Sequence, residues 1–370
     1  MKSFCFISLS VYGYFNPSVP PSGGAQRQLS LLSRELSYEF EVCFVVGDYG
    51  QPKHEIRDGI EFYRAYHPST ETRSYEQPIQ FWKLRKAMAR AGANAYIFRG
   101  HPWKAAFTYL LAASLGKPWI YNIANDANIE QQPAALPTPV RWLFKRALSN
   151  AAAVIAQTPK QNQRLEEKYG VEAATVPNGY PAAKNVQSHE NRDHFLWVGR
   201  LDEEQKQPHY YLDLAGRFPS ETFLLAGPGG HSDSYNSHIR ERASQLENVV
   251  NVGTVPPDEI HDLYRDAIAL VNTSAYEGFP NTFLEAWRYG TSVLALAVDP
   301  ERFLGSEHGV TGYAEGEFET LVSMTQELAD STKKRRELGV IGMETFEQRY
   351  HLETVVNSYR KLLEETISDE

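Results

Sequence analysis

Twice along this chain a series of short apolar runs alternates with segments of helical periodicity, and one polar stretch rich in Pro, Asn and Gly separates the two series. Alternation of this kind is what a parallel sheet requires, because successive parallel strands must be joined by a crossover, usually a covering helix. The first series comprises residues 4–11, 41–46, 60–66, 94–99, 118–123 and 152–156, and the second 195–199, 222–227, 248–252, 267–272 and 292–297. Between the first two runs, Ala25, Leu29, Leu32 and Leu36 repeat at the spacing of one helical face. The break, VPNGYPAAKNVQSHENRD at 176–193, reads as a linker. The sequence therefore predicts an α/β protein of two units, residues 1–185 and 186–351, closed by an amphipathic helix over about 352–370 that carries Leu352, Val355, Val356, Tyr359, Leu362 and Leu363. No period of 20 to 50 residues repeats, which excludes solenoids and propellers.

Charge adds a second constraint. Residues 1–190 hold 21 Lys and Arg against 15 Asp and Glu, a net +6, whereas residues 191–370 hold 16 against 31, a net −15. The overall charge of −9 excludes a surface built throughout for nucleic acid, but the basic first half is suited to an anionic partner. Two helical patterns in it are basic and amphipathic, FWKLRKAMAR (81–90) and TPVRWLFKRALSN (138–150), and a peripheral contact with an anionic membrane is expected of them. Integral insertion is not, since the longest uncharged apolar stretch, 105–116, stops at Lys117. The first residues, MKSFCFISLSVYGY, put Tyr12 and Tyr14 where a cleavable signal needs small residues, and read as a buried strand. Cys5 and Cys43 each sit inside an apolar run, as thiols of a reducing compartment do, so the expected location is cytoplasmic, peripherally on the inner face of the membrane if that contact forms.

Three motifs carry chemistry. In PSGGAQRQ (21–28), Gly23 and Gly24 join the first strand to the first helix, where residues without Cβ let backbone amides approach a phosphate or sugar. In VGRLDEEQK (198–206), Arg200 and Lys206 follow the first strand of the second series, at the strand end where α/β sheets bind ligands. Either cation could instead pair with Asp202, Glu203 or Glu204. In SAYEGFPNTFLEAWRYG (274–290), Glu277 precedes a helix that begins near Asn281 and carries Glu285. Carboxylates suit sugar hydroxyls because they accept two hydrogen bonds in a fixed geometry, and amides of Phe279, Asn281 and Thr282 at the helix start favour an anion. A purely structural reading would make Glu277 a solvated loop charge and Glu285 a helix-surface residue. No Asp-x-Asp pair, zinc-spaced Cys/His cluster or GxxxxGK loop occurs.

Taken in order, GGAQRQLSLLSREL, GRLDEEQK, LLAGPGG and EGFPNTFLEA resemble the family-4 group of retaining GT-B glycosyltransferases over essentially the whole chain. The resemblance implies two Rossmann-like domains facing across a cleft, an N-terminal acceptor domain to which the last helix returns, and a C-terminal donor domain. It implies that Arg200 and Lys206 neutralise the donor diphosphate, that Glu285 holds the ribose and Glu277 the donor sugar, and that Gly278, Phe279, Pro280, Asn281 and Thr282 complete that site. Gly23 and Gly24 would close on the donor, Gly253, Thr254 and Val255 would lie near the base, and His101 matches the active-site histidine. Gln207 stands where the family often has Gly, and NIAND (122–126) where a second histidine loop is usual. The expected function is metal-independent transfer of a sugar from a nucleoside-diphosphate sugar to a hydroxyl of a sugar, lipid-linked or glycan acceptor, with retention and without a cofactor. A GT-B sugar-nucleotide 2-epimerase and a catalytically silent GT-B partner subunit are the alternatives.

Overall fold

The computed structural model describes residues 2–21, 23–68, 77–256, 259–299 and 309–368, so that Ser22 of the first Gly motif and residues 369–370 of the closing helix lie outside it. The chain forms two compact units, Met1–Gly179 together with Leu352–Glu370, and Tyr180–His351.

In the first unit, β1 (Ser3–Ile7), β2 (Glu41–Val46), β3 (His54–Arg57), β4 (Ile60–Arg64), β5 (Ala95–Arg99), β6 (Trp119–Asn122), β7 (Ala153–Ala156) and β8 (Ala174–Thr175) make one sheet in the order β3-β4-β2-β1-β5-β6-β7-β8. All neighbours are parallel except β3 and β4, which form a hairpin about Asp58 and Gly59, both at positive φ. The inner strands are apolar on both faces because helices cover both faces. One face, with Ile7, Val45, Tyr96 and Tyr121, is covered by α2 (Gln77–Ala91), α3 (Pro102–Ala113) and α5 (Thr138–Ser149), the last reached through the short α4 (Gln131–Ala134). The other, with Phe4, Phe6, Phe44 and Ile97, is covered by α1 (Gly24–Leu36) and the closing helix Leu352–Ser368. That helix buries Val355, Val356 and Leu363, hydrogen-bonds Asn122 through Tyr359, and pairs Arg360 with Glu39 at 2.6 Å. The last helix of this unit's continuous segment is α6 (Pro159–Tyr169), capped by Thr158 and ended by left-handed Gly170.

The second unit repeats the plan. Strands β9 (His194–Val198), β10 (Thr222–Ala226), β11 (Val249–Gly253), β12 (Ala267–Asn272), β13 (Ser292–Ala295) and β14 (Gly312–Tyr313) run parallel in the order β11-β10-β9-β12-β13-β14. Helices α7 (Pro208–Arg217), α8 (Asp233–Ser244), α9 (Ile260–Asp266), α10 (Asn281–Trp287), α11 (Phe318–Asp330) and α12 (Thr332–Arg349) complete it. Arg192, only 3% exposed, ties the start of this unit to its core by donating to the carbonyls of Ala267 (2.9 Å) and Tyr289 (2.6 Å) and to the Thr291 hydroxyl.

Both sheets reverse direction of growth at their first strand. In the first unit β1 lies between β2 and β5, and in the second β9 lies between β10 and β12. Helix connections on either side of such a point diverge and leave a crevice at the carboxyl ends of the two strands, where α/β proteins bind ligands. The segments that follow β9 and β12 contain Arg200, Lys206 and Glu277; those that follow β1 and β5 contain Gly23, Gly24 and His101.

Candidate active site

After β9 the chain makes a tight turn through Arg200–Gln207. Asp202 organises it by accepting the Gln205 amide at its carboxylate (2.8 Å), the Gln207 amide at its carbonyl (2.8 Å) and the Arg200 guanidinium at 3.4 Å. Gln207 then caps α7 in the left-handed conformation (φ 48°, ψ 53°), which disfavours a residue with a Cβ. The neighbouring segment after β12 is bound to this turn directly. The Ala275 amide donates to the Gln205 carbonyl (2.8 Å), and Thr273 donates its hydroxyl to the Lys206 carbonyl (2.8 Å) while accepting from the Trp197 indole (2.9 Å).

This register brings Lys206 against Glu277. The ammonium donates to Glu277 Oε1, which also accepts from the Ser274 hydroxyl at 2.8 Å. Ser274 is held in turn by Asn272, whose side chain accepts the Ser274 amide at 3.2 Å. The Glu277 side chain is 9% exposed and that of Lys206 21%. Glu277 is therefore no solvated loop charge, and Glu285, 5% exposed on α10, is no helix-surface residue. Arg200 is different, with a side chain 43% exposed and Asp202 as its partner.

The loop between Glu277 and α10 is fixed from below. Phe279 is buried and packs edge-on against Tyr350 at the end of α12, with ring centroids 5.4 Å apart, while the Phe283 amide donates to the Pro280 carbonyl. Gly278, Asn281 and Thr282 remain partly exposed at the start of α10, where the first backbone N–H groups have no partner within the helix. A third loop closes the group. The Gly227 amide donates to the Gly253 carbonyl at 2.7 Å, and the Gly199 amide to the Ala226 carbonyl at 3.0 Å. A Cβ on Gly227, whose φ is +147°, would lie 1.7 Å from the Gly199 oxygen. Thr254 and Val255 follow Gly253 at the end of β11, exposed and half-buried respectively.

In the first unit, Gly23 is the N-terminal cap of α1 at φ +64°, and its carbonyl accepts from the Tyr14 hydroxyl at 3.1 Å. His101 caps α3, accepting the Trp103 amide at Nδ1 (3.1 Å). That bond needs a free lone pair on Nδ1, so the neutral ring carries its proton on Nε2 as a donor. Loss of solvation first, and the Lys104 cation second, hold its pKa below the ordinary 6.5.

Sequence reasoning did not find Ser274, Asn272 or Thr273, which orient Glu277 and Lys206, nor the role of Gly199 and Gly227 in the close approach of two loops. The readable signals were the run Asn-Thr-Ser immediately before the acidic loop and a Gly ending each of two successive strands. Among the described residues no group of three or more His, Cys, Asp or Glu side chains is arranged to hold a metal ion.

Comparison with known proteins agrees with the fold. Residues 192–332 match the model of glycosyl transferases group 1, and residues 23–179 that of the glycosyl transferase 4-like domain. Over 100 residues the chain is 35% identical to a lipopolysaccharide 1,6-galactosyltransferase of Salmonella typhimurium, covering 26% of this chain and 28% of that protein. Over 260 residues it is 25% identical to a D-inositol 3-phosphate glycosyltransferase of Acidothermus cellulolyticus, covering 60% and 58%. The matched regions thus span between about a quarter and three fifths of these curated relatives. Among solved structures, sucrose-phosphate synthase from Thermosynechococcus elongatus superposes with a TM-score of 0.79 at 18% identity over 100% of both chains. Anabaena HepE in complex with UDP and glucose superposes with 0.75 at 16% identity over 98% of this chain and 99% of that one. Both halves of the chain match in the order in which the motifs run, and the chain belongs to the group 1, family-4-like glycosyltransferases of the GT-B fold.

Proposed function

We propose that this protein is a retaining glycosyltransferase that moves a hexosyl or related sugar from a nucleoside-diphosphate donor to an acceptor hydroxyl in polysaccharide, glycolipid or glycoprotein glycan assembly. The observation that carries the reading is the meeting of Lys206 and Glu277 at the switch point of the second sheet, with Glu285 buried on the helix that follows. Galactosyl and inositol-phosphate glycosyl transfer by the curated relatives, and the solution of HepE with UDP-glucose, support it.

In this proposal the donor diphosphate takes Lys206 from Glu277 and Arg200 from Asp202. Both cations then face an anion whose charge rises as the glycosidic bond to phosphate breaks, so their stabilisation is greatest in the transition state. Glu277, released, accepts hydroxyls of the donor sugar, and Glu285 those of the ribose. The backbone amides of Asn281 and Thr282, with Gly278, Phe279 and Pro280, complete the anion and sugar site, and Gly253, Thr254 and Val255 face the base. Gly23 and Gly24 lend backbone amides, and His101 donates from Nε2–H to a sugar hydroxyl. The acceptor oxygen bonds to the anomeric carbon on the face from which the diphosphate departs, and a diphosphate oxygen takes the acceptor's proton. No metal or cofactor enters these steps.

The test is a transfer assay against a panel of nucleoside-diphosphate sugars and sugar acceptors with EDTA present, the anomeric configuration of the product being read by NMR. Retained configuration at an undiminished rate supports the reading. An inverted product or a strict need for metal overturns the mechanism, and release of an epimerised sugar nucleotide without acceptor overturns the reaction class.

A further inference from the structure

The layer of helices over one face of the first sheet is electrically unlike the rest of the molecule. Helix α3 packs against both α2 and α5, and all three bury their apolar sides in a single core, through Leu84 and Met88, Ala105 and Ala106, and Phe144 and Leu148. Their outer faces therefore share one side of the unit. The three helices carry eight cations, Lys83, Arg85, Lys86 and Arg90 on α2, Lys104 on α3, and Arg141, Lys145 and Arg146 on α5, and not one carboxylate. Among the described residues none of the eight is in an ion pair. The closing helix on the opposite face mixes the two signs, with Glu353, Glu364 and Glu365 beside Arg360 and Lys361.

Two tryptophans stand out on the same layer. Trp82 is 60% exposed with the Lys86 ammonium 4.8 Å from its ring centre, and Trp142 is 61% exposed with the Arg146 guanidinium at 5.7 Å. Ile79 and Leu110 are exposed beside them on α2 and α3. A large ring left in water gains no burial free energy until something covers it, and a Trp beside a cation is the side-chain combination favoured at the level of lipid headgroups. Eight like charges with no carboxylate among them repel one another, and an anionic surface relieves that repulsion.

We infer that the α2–α3–α5 face of the first unit docks on an anionic lipid bilayer, with Trp82 and Trp142 entering the headgroup region and the Lys and Arg side chains pairing with lipid phosphates. The three helices lie flat on the surface; among the described residues no helix is long and apolar enough to cross a membrane. The inference stands apart from the proposed sugar transfer, because binding needs neither donor nor acceptor.

Flotation of the full chain with vesicles tests it. Vesicles of phosphatidylcholine with one third phosphatidylglycerol should carry the protein at low salt, and those of phosphatidylcholine alone should not, with binding falling as NaCl shortens the screening length to about 8 Å. Each basic residue near an anionic surface contributes enough that the fourfold variant Lys83→Glu, Lys86→Glu, Lys145→Glu, Arg146→Glu should lose binding by about tenfold or more. The pair Trp82→Ser and Trp142→Ser should weaken it less and remove the blue shift of tryptophan emission on vesicle addition. Far-UV circular dichroism and melting of both variants establish that they fold. Equal binding to neutral and anionic vesicles, unchanged binding of the fourfold variant, or displacement from anionic vesicles by a stoichiometric single-stranded oligonucleotide overturns the inference, the last in favour of nucleic acid.

Discussion

Lys206 and Glu277 lie 71 residues apart in the sequence and form one hydrogen-bonded ion pair, with the carboxylate oxygen shared by the Ser274 hydroxyl. The pair exists because β9 and β12 are neighbours in the sheet though not in the chain. Breaking a shielded pair from one side leaves a charge without its partner, which costs more than an exposed pair would. Lys206→Ala should therefore lower the stability of the second unit by about 1–3 kcal/mol, whereas Glu277→Gln, which keeps an acceptor for Ser274, should cost less. Glu277 and Glu285 should also separate in function. Glu277→Gln should depress turnover and leave nucleoside diphosphate binding nearly intact, and Glu285→Ala should weaken that binding. Urea melts, calorimetric titration with nucleoside diphosphates and a turnover assay on the three variants check these statements.

His101 should make activity and stability depend on pH with a definite sign. Its imidazole in the folded state has a pKa below 6.5, so the unfolded chain binds the proton more readily and stability falls as pH drops below about 6.5. Protonation also removes the lone pair that accepts the Trp103 amide. Turnover should be flat from neutral pH upward through this group and decline on the acid side. His101→Asn, which can cap α3 as well as His does, should keep the melting temperature and lose turnover. An unchanged rate in that variant would reduce His101 to a helix cap.

Gly227→Ala should be among the most damaging single-methyl changes in the second unit. The new Cβ would lie 1.7 Å from the Gly199 oxygen, and a backbone at φ +147° strains any L side chain. The two loops would have to part, with a loss on the order of 3 kcal/mol and of donor affinity together. Thermal melts read the first and nucleotide titration the second.

Gln207→Gly should move stability the other way. Gln207 holds φ 48°, a conformation that costs a residue with a Cβ about 1 kcal/mol and costs glycine nothing. Part of that gain is lost to the greater freedom of glycine in the unfolded chain, so the expected change lies between zero and about 1 kcal/mol of stabilisation. Equilibrium denaturation measures it directly.

Much of the fold was legible because fully covered strands must be apolar throughout. Runs such as EVCFVV and AIALVN leave little choice of structure, and β2 and β12 lie where they stand. Strand β3 was not read, since HEIR at an exposed edge has no buried face to advertise it, although the Asp58-Gly59 pair between HEIR and IEFYR is a hairpin signal. Two-residue strands such as β8 and β14 are too short to leave a pattern. The site was legible as a set of motifs and not as a geometry. Nothing local says that Lys206 faces Glu277 when Asp202, Glu203 and Glu204 are nearer in sequence; strand order decides it. The burial of α10 likewise depends on its being covered by α12, where a Cβ on Gly342 would lie 2.4 Å from the Trp287 ring.

The most direct measurement of the central claim is calorimetric titration of the intact protein and of Lys206→Ala with a panel of nucleoside diphosphates and their sugars, in EDTA throughout. At least one of them should bind the unmodified protein without metal, and Lys206→Ala should weaken this binding by roughly tenfold or more, the worth of one charge-assisted hydrogen bond. Absence of binding by every member of the panel, or equal affinity in the two proteins, would contradict it.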